Sequence, residues 1–341
     1  MTVTAVIEGT GFAVPQKCIT NEQVIHRLQK NIKDKEVSNK LTPAWILNNV
    51  GVRFRYSAGS RETNAYLGSL AALRALDDAS MSLKNIDYII GVTSTPDEFT
   101  PSFASATHEI LALVMDCSVS IPASDKNAAC SGVIYALAEA YAYIKSGLYN
   151  NILIVGCDRI YSKHINWKDP VMGPSTAQIF GDGAFALVVR GYHENKFSFG
   201  IKDFILSGKG NTKDLVGKKG RVHMNGGKVF KFAVTEGHRL LREMLRRQGL
   251  STESINWFLL HQANKRINDA ILGKQEFNIP EQKCPSTIEL FGNTAGASLG
   301  MLMAYASGSF KVGDKLLLFA AGAGFTSAVM YLVWGKGAGS Y

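Results

Sequence analysis

Apolar residues fall along the chain in two kinds of run. "IDYIIGVTS" from Ile86 and "NILIVG" from Asn151 are continuous, Ile- and Val-rich and without polar alternation. That is the pattern of strands covered on both faces. "ETNAYLGSLAALRALDDA" and "SGVIYALAEAYAYIKSG" carry helical spacing, the second closed by Gly147. "MTVTAVIEGTGFAVP" alternates like a strand and lacks the features of a signal peptide. Strands alternating with helices predict an α/β fold with covered sheets. The stretch "LLLFAAGAGFTSAVMYLVW", Leu316 to Trp334, has the length of a membrane span. Gly322 and Gly324 interrupt it, so it reads as two core strands joined by a tight turn.

The chain also resembles itself. "ALRALDDASMSLKNIDYIIGVTS" matches "LLREMLRRQGLSTESINWFLLHQ", pairing Asp87 with Asn256. "CSGVIYALAEAYAYIKSGLYNNILIVG" matches "ASLGMLMAYASGSFKVGDKLLLFAAG", pairing Gly156 with Gly322. Two matches in one order, at offsets near half the chain, predict duplicated halves. The halves are placed at 1–190 and 191–341, and Ala297 becomes the counterpart of Cys130.

Composition narrows the class. The chain has 341 residues, 46% hydrophobic and 19% charged, which suits a globular enzyme and argues against disorder. Lys and Arg number 37 against 28 Asp and Glu, a net +9 that favours an acidic partner. Cys18, Cys117, Cys130, Cys157 and Cys284 are widely spread, with no CxxC or zinc spacing. Reduced thiols in a cytoplasm are expected, and neither a disulfide framework nor a metal site.

Cys130 opens a helix amid small residues: Ala128, Ala129, Ser131 and Gly132. A helix start favours the thiolate, and small neighbours let a ligand approach. A buried core cysteine is the alternative. "FLLHQANKRI" ends an apolar strand in His261, where ligand sites of α/β folds gather. "GNT" sets Asn293 in the loop before the second half's counterpart helix. Packing of the two halves about a pseudo-twofold axis brings Cys130, His261 and Asn293 together.

With "AACSG", "IFGDGA", "HQANKRI", "GNTAGAS", "GAGFT" and "TPAWILNNVGVRFR", the chain resembles the β-ketoacyl-acyl carrier protein synthase III family of the thiolase-fold superfamily. The likeness runs from about Val6 to Val333. It implies a thiolase-like fold, two βα halves in a layered αβαβα architecture, and a homodimer. It also implies a reaction. Cys130 takes an acyl group from a thioester, and the backbone N–H of Cys130 with one from Gly322 to Gly324 holds the oxyanion. His261 and Asn293 stabilise the enolate left when a malonyl thioester loses CO₂. No metal or redox cofactor is required. Acyl carrier protein is the implied partner, with acyl-CoA or acyl-carrier thioester and a malonyl thioester as substrates.

For docking, Lys231 and Arg266 match positions of the family that meet the carrier. Arg242, with Arg239 and Arg246, lies on one helical face, and Lys265 adjoins them. Trp45 matches the family's adenine-stacking tryptophan. Asn49 stands where relatives carry an arginine, and no arginine lies between Arg159 and Arg190. Lys163 and Lys168 lack the planar stacking of a guanidinium. Both departures speak against free acyl-CoA as donor. Phe185, where relatives commonly have a small residue, points to an altered acyl pocket.

"FGDGA" is read as structural, because two glycines at this spacing are a weak nucleotide signal. Nucleic acid is not expected. A thiolase would need a second cysteine in "AAGAGFTS", which has none. An acyltransferase that hands the acyl group to an alcohol or amine remains the competing reading. A non-catalytic subunit would have lost the nucleophile. The tail "GKGAGSY" reads as flexible.

Overall fold

The fold is described from a computed structural model, over residues 3–31, 41–193, 198–218, 220–273 and 276–336. Of the tail read as flexible, 337–341 lie outside the described residues.

Two sheets organise the molecule. The first has the order β1 (Val3–Ala13), β7 (Asp182–His193), β6 (Asn151–Arg159), β4 (Tyr88–Val92), β5 (Ala123–Lys126). The second has the order β8 (Gly200–Asn211), β13 (Gly324–Val333), β12 (Lys315–Gly322), β11 (Trp257–Leu260). The first four strands of each follow one pattern. β1 pairs antiparallel with β7, β7 antiparallel with β6, and β6 parallel with β4. β8, β13, β12 and β11 repeat those three relations in turn. Among the described residues, β5 has no counterpart in the second sheet. Leu316–Trp334 is the β12–β13 hairpin, and no described helix is long and apolar enough to cross a membrane.

Helices fill the layers between and outside the sheets. α5 (Gly132–Ser146) and α11 (Ser298–Ala306) lie between them, in one core with Ile154 and Leu187 from the first sheet and Leu318 and Met330 from the second. α3 (Asn64–Asp78) and α4 (Phe103–Val114) cover the outer face of the first sheet. α8 (Gly226–Gln248) and α9 (Lys265–Leu272) cover the outer face of the second. The result is αβαβα. α5 carries Ala136, Ala138 and Ala140 because it is packed on both sides, where bulk does not fit. Gly147 ends it in the left-handed conformation, φ 75°, with its N–H on Ile144 O.

Phe185 has a different role from the one its sequence position suggested. Its ring lies in the core between the sheets, in the space left by two glycines. A Cβ at Gly156 would sit 2.1 Å from Phe185 Cε1, and one at Gly300 2.2 Å from its Cδ2. Burying such a ring contributes about 1.5–3 kcal/mol. Phe185 is thus a core-packing residue, not part of the surroundings of Cys130, which lies in a separate apolar cluster.

A smaller layer covers the ends of the strands near Cys130. It comprises α1 (Asn21–Asn31), α2 (Pro43–Val50), the pair β2 (Lys17–Thr20) and β3 (Phe54–Ser57), and the loop 160–181 with α6 (Ile160–Lys163) and α7 (Met172–Ala177). The hairpin of β9 (Leu215–Lys218) and β10 (Arg221–Met224) joins it, Val222 N–H bonding to His164 O.

Candidate active site

Cys130 sits in a single 3₁₀ turn, Ala129–Ser131, that feeds α5. Ala129 takes a left-handed φ of 47°, a strained position for a residue with a Cβ. The second half repeats this turn at Ala295–Ala297, with Ala295 at φ 49°, before α11. The counterpart of Cys130 is therefore Gly296, one position before the Ala297 expected from sequence. The helix and strand matches carry different offsets, because α11 is shorter than α5 while its link to β12, 307–314, is longer than the first-half link 147–150. In sheet register Asp87 does meet its expected counterpart. Asp87 N–H bonds to Asn151 O, as Asn256 N–H bonds to Lys315 O.

β12 draws the second half's residues onto this turn. At its end, a Cβ on Gly322 would lie 2.7 Å from Cys130 N and 3.1 Å from Cys130 Cβ. Only glycine allows that approach. Three residues earlier on β12, Phe319 O accepts the N–H of His261, which directly follows β11. Asn293 is tied to the same strand end, its Nδ2 3.4 Å from Ala263 O and its Oδ1 accepting Ala295 N–H at 2.8 Å. Gly181 N–H to Asn293 O and Asn293 N–H to Ile179 O fix its backbone against the loop before β7. Gly324 takes φ 73° in the turn that closes the β12–β13 hairpin.

The polar neighbours of His261 are committed to scaffolding. Gln262 is buried, and its Oε1 accepts from Ser286, Thr287 and Ile288. Asn264 caps α9 through Arg266 N–H. His261 differs: its Nδ1 is buried and makes no protein hydrogen bond among the described residues. Burial pulls its pKa down to about 3, so the imidazole is neutral.

Cys130 departs from the sequence expectation. Burial, followed by the Asp158 carboxylate, pushes the thiol up to about 12. The helix start was expected to favour the thiolate, but desolvation outweighs it. The resting group is a thiol in an apolar setting of Ile160, Tyr161, Phe180 and Ala295.

Asp158 and Asp182 are buried carboxylates. Asp182, of "FGDGA", accepts from the N–H groups of Ala58, Tyr161 and Ser162, and burial raises it to about 6. It anchors the covering layer, as its structural reading implied. Asp158 was not singled out from sequence. The signal was available, because a charged pair, Asp158 and Arg159, ends the otherwise apolar strand "NILIVGC".

The surface residues divide into two places. Trp45 is 41% exposed on α2, and one turn on, Asn49 receives the guanidinium of Arg266 from the start of α9. Lys265 packs against Gly51 and pairs with Asp269 at 2.8 Å. Lys231 is exposed near the start of α8, beside Phe232, whose ring stacks on Phe325 of the β12–β13 hairpin at 4.2 Å. Lys265 and Arg266 thus begin the helix that follows His261, and Phe232 ties the Lys231 turn of α8 to the β12–β13 hairpin. Arg242 lies three turns further along α8, roughly 16 Å from Lys231 along the axis. It pairs with Glu276, while Arg239 and Arg246 pair with Glu236 and Glu243. Lys163 and Lys168 are exposed in the loop 160–181, where the guanidinium of Arg27 stacks on Trp167 at 3.8 Å. All five cysteines are free thiols.

Residues 124–210 match the profile of 3-oxoacyl-[acyl-carrier-protein (ACP)] synthase III, and 245–334 match its C-terminal profile. The β-ketoacyl-[acyl-carrier-protein] synthase III of Agrobacterium fabrum is 34% identical, over 97% of this chain and 100% of that protein. The crystal structure of 3-oxoacyl-[acyl-carrier-protein] synthase III from Aquifex aeolicus superposes with a TM-score of 0.85 at 32% identity, covering 97% and 100%. The priming β-ketosynthase of the R1128 polyketide biosynthetic pathway gives 0.83 at 27% identity, covering 97% and 96%. With the duplicated αβαβα layers and a cysteine turn packed against Gly322 and Gly296 of the other half, these likenesses establish that the chain belongs to the β-ketoacyl-[acyl-carrier-protein] synthase III family.

Proposed function

We propose that this enzyme moves an acyl group from a thioester to Cys130 and condenses it with a malonyl thioester, releasing CO₂ and a 3-oxoacyl thioester. The supporting observation is the Gly322–Cys130 contact. It puts the strand that holds His261 directly against the cysteine turn.

Cys130 is a thiol at rest, so its proton leaves as the S–C bond forms and departs with the donor's thiol. The oxyanion lies between the N–H of Cys130 and one from the segment 322–324. The malonyl thioester then breaks its C–C bond to CO₂, and charge moves to the thioester oxygen. Neutral His261 and the Nδ2 of Asn293 donate to that oxygen. The enolate carbon attacks the acyl carbonyl, the C–S bond breaks, and Cys130 leaves as a thiolate that takes a proton from solvent. Side chains and backbone N–H groups supply every step, so the chemistry calls for no metal or redox cofactor.

Trp45, Lys231, Lys265 and Arg266 form the docking surface for an acidic carrier protein, with Arg242 at its periphery. Asn49 occupies Arg266, which favours a carrier-bound donor over free acyl-CoA. The likeness to a priming ketosynthase supports a specialised pathway beside fatty-acid initiation. The duplicated units are 1–190 and 191–341, the enzyme works in the cytoplasm, and it is a homodimer. The free edge of β5, with exposed Phe99, Leu113 and Val114, supports a second copy on that side. A monomer on gel filtration would overturn the dimer.

Intact-mass measurement after incubation with a panel of acyl-CoAs and acyl carrier proteins tests the donor. CO₂ release from a malonyl thioester tests the condensation. Acyl transfer to an alcohol or amine with no CO₂ released would replace it with the acyltransferase reading.

A further inference from the structure

Asp158 is fully buried at the end of β6, and the condensation chemistry leaves it unused. Its Oδ1 accepts from Ser94 N–H at 2.8 Å, Thr95 Oγ1 at 2.9 Å, Ser94 Oγ at 3.0 Å and Thr93 Oγ1 at 3.2 Å. Its Oδ2 accepts from Ser94 Oγ at 3.1 Å and, across the junction of the halves, from Gly296 N–H at 2.7 Å. Burial raises the Asp158 carboxyl above its ordinary range, while the bonds from Ser94, Gly296 and Thr95 work against that rise; every partner can donate, two of them as backbone N–H groups, which is the pattern that favours an ionised carboxylate. Gly296 is held between the two halves: a Cβ there would lie 2.8 Å from Asp158 Oδ2 and 3.1 Å from Ala129 O in the cysteine turn.

We propose that Asp158 is a positioning residue that sets both halves of the site with one carboxylate, clasping the turn that aims Asn293 while resting beside the turn that carries Cys130. This rests on the condensing reading above. The route to Asn293 is short. Asp158 holds Gly296 N–H, and the adjoining Ala295 N–H donates to Asn293 Oδ1. That bond leaves Nδ2 as the face of the amide able to donate to an enolate oxygen. The turn takes a left-handed φ at Ala295 and needs such a tether to persist. The effect on Cys130 is opposite in sense, because a nearby negative charge disfavours a thiolate.

The groups around Asp158 leave that charge uncompensated. Thr93 to Thr95 and the 295–297 turn carry no charge. Cys130 and Cys157 are thiols, the latter raised well above its ordinary value by burial. Among the described residues the adjoining cation is Arg159, which turns its guanidinium to Asp97, Asn64 Oδ1 and Glu62 O. Asp158 therefore assists decarboxylation and restrains the free thiol.

Asp158→Asn separates the two effects in the full-length enzyme. Decarboxylation of malonyl thioester is expected to fall about tenfold or more, since a displaced donor loses much of its contribution. Alkylation of Cys130 by iodoacetamide, followed by mass at a series of pH values, is expected to speed up about tenfold at pH 8, its profile moving to lower pH. General structural damage would slow decarboxylation without moving the alkylation profile downward. Unchanged decarboxylation, or an unmoved profile, overturns the proposal. If Asp158→Asn does not fold, Ser94→Ala decides: a two- to threefold loss of decarboxylation is expected, on the order of one hydrogen bond's share, and no loss overturns it. Alkylation needs no substrate, so a wild-type enzyme that fails to decarboxylate malonyl thioesters would overturn the condensing reading alone.

Discussion

The turns Ala129–Ser131 and Ala295–Ala297 share a backbone and differ in what they present. Each is a 3₁₀ turn that begins with a left-handed alanine and opens a central helix. One places Cys130 against Gly322. The other places Gly296 against Asp158, with Asn293 held by its first N–H. Duplication supplied two equivalent helix starts beside the junction. One presents a thiol side chain, the other a backbone N–H to Asp158. The pair shows that a helix start does not by itself make a thiolate, since burial outweighs it and pushes the Cys130 thiol up.

Substitutions at the two turns test this division, the largest effect first. Cys130→Ala should abolish acyl uptake, a loss on the order of 10⁵-fold or more in turnover, with no mass gain on incubation with any acyl donor. His261→Ala and Asn293→Ala should each cut CO₂ release from malonyl thioester by roughly 10²–10³-fold. Both should still form acyl-Cys130 on intact-mass analysis, which separates the two halves' tasks. Gly322→Ala drives a methyl into the backbone of Cys130. It should slow acylation by about 10²-fold in single-turnover measurements, as displacement of a reacting group does.

Gly296→Ala crowds the opposite turn, where Asp158 and Ala129 have little room to give. Its primary cost is expected in stability, about 1–3 kcal/mol in denaturant unfolding. An unaltered midpoint would show that the second turn is looser than the first. The smallest effects belong to the surface. Arg266→Glu, at the site's rim, should raise KM for carrier-bound substrate by about fivefold at low salt, less as salt rises. Arg242→Glu, three turns away and already paired with Glu276, should leave KM near its wild-type value. Equal effects of the two would place docking on the whole α8 face.

Local pattern carried most of the fold. Ile86–Ser94 and Asn151–Gly156 read as covered strands because both faces are buried, and they are β4 and most of β6. Gly322 and Gly324 marked the hairpin because a tight turn needs a backbone free of Cβ restriction. Cys130, His261 and Asn293 were legible because each stands at the end of a strong strand or helix signal, in motifs the family shares. The repeat of Asp87 at Asn256 was visible for the same reason.

What the chain alone could not decide depends on partners distant in sequence. The thiol's proton, the neutrality of His261 and the hydrogen bonds of Asp158 to distant loops follow from burial and packing, which no short window reports. Phe185 was misplaced because its fit depends on Gly156 and Gly300, on two other elements. Arg242 and Arg266 looked alike as charges and were separated only by their partners, Asn49 for Arg266 and Glu276 for Arg242. Hydrophobic period and turn chemistry are local, so the sequence by itself determined the elements, their repeated order and the residue types that stand at the strand and helix ends. Desolvation and charge pairing act through space, so only the tertiary structure decided which groups are protonated, which are committed to scaffolding and which stand free to act.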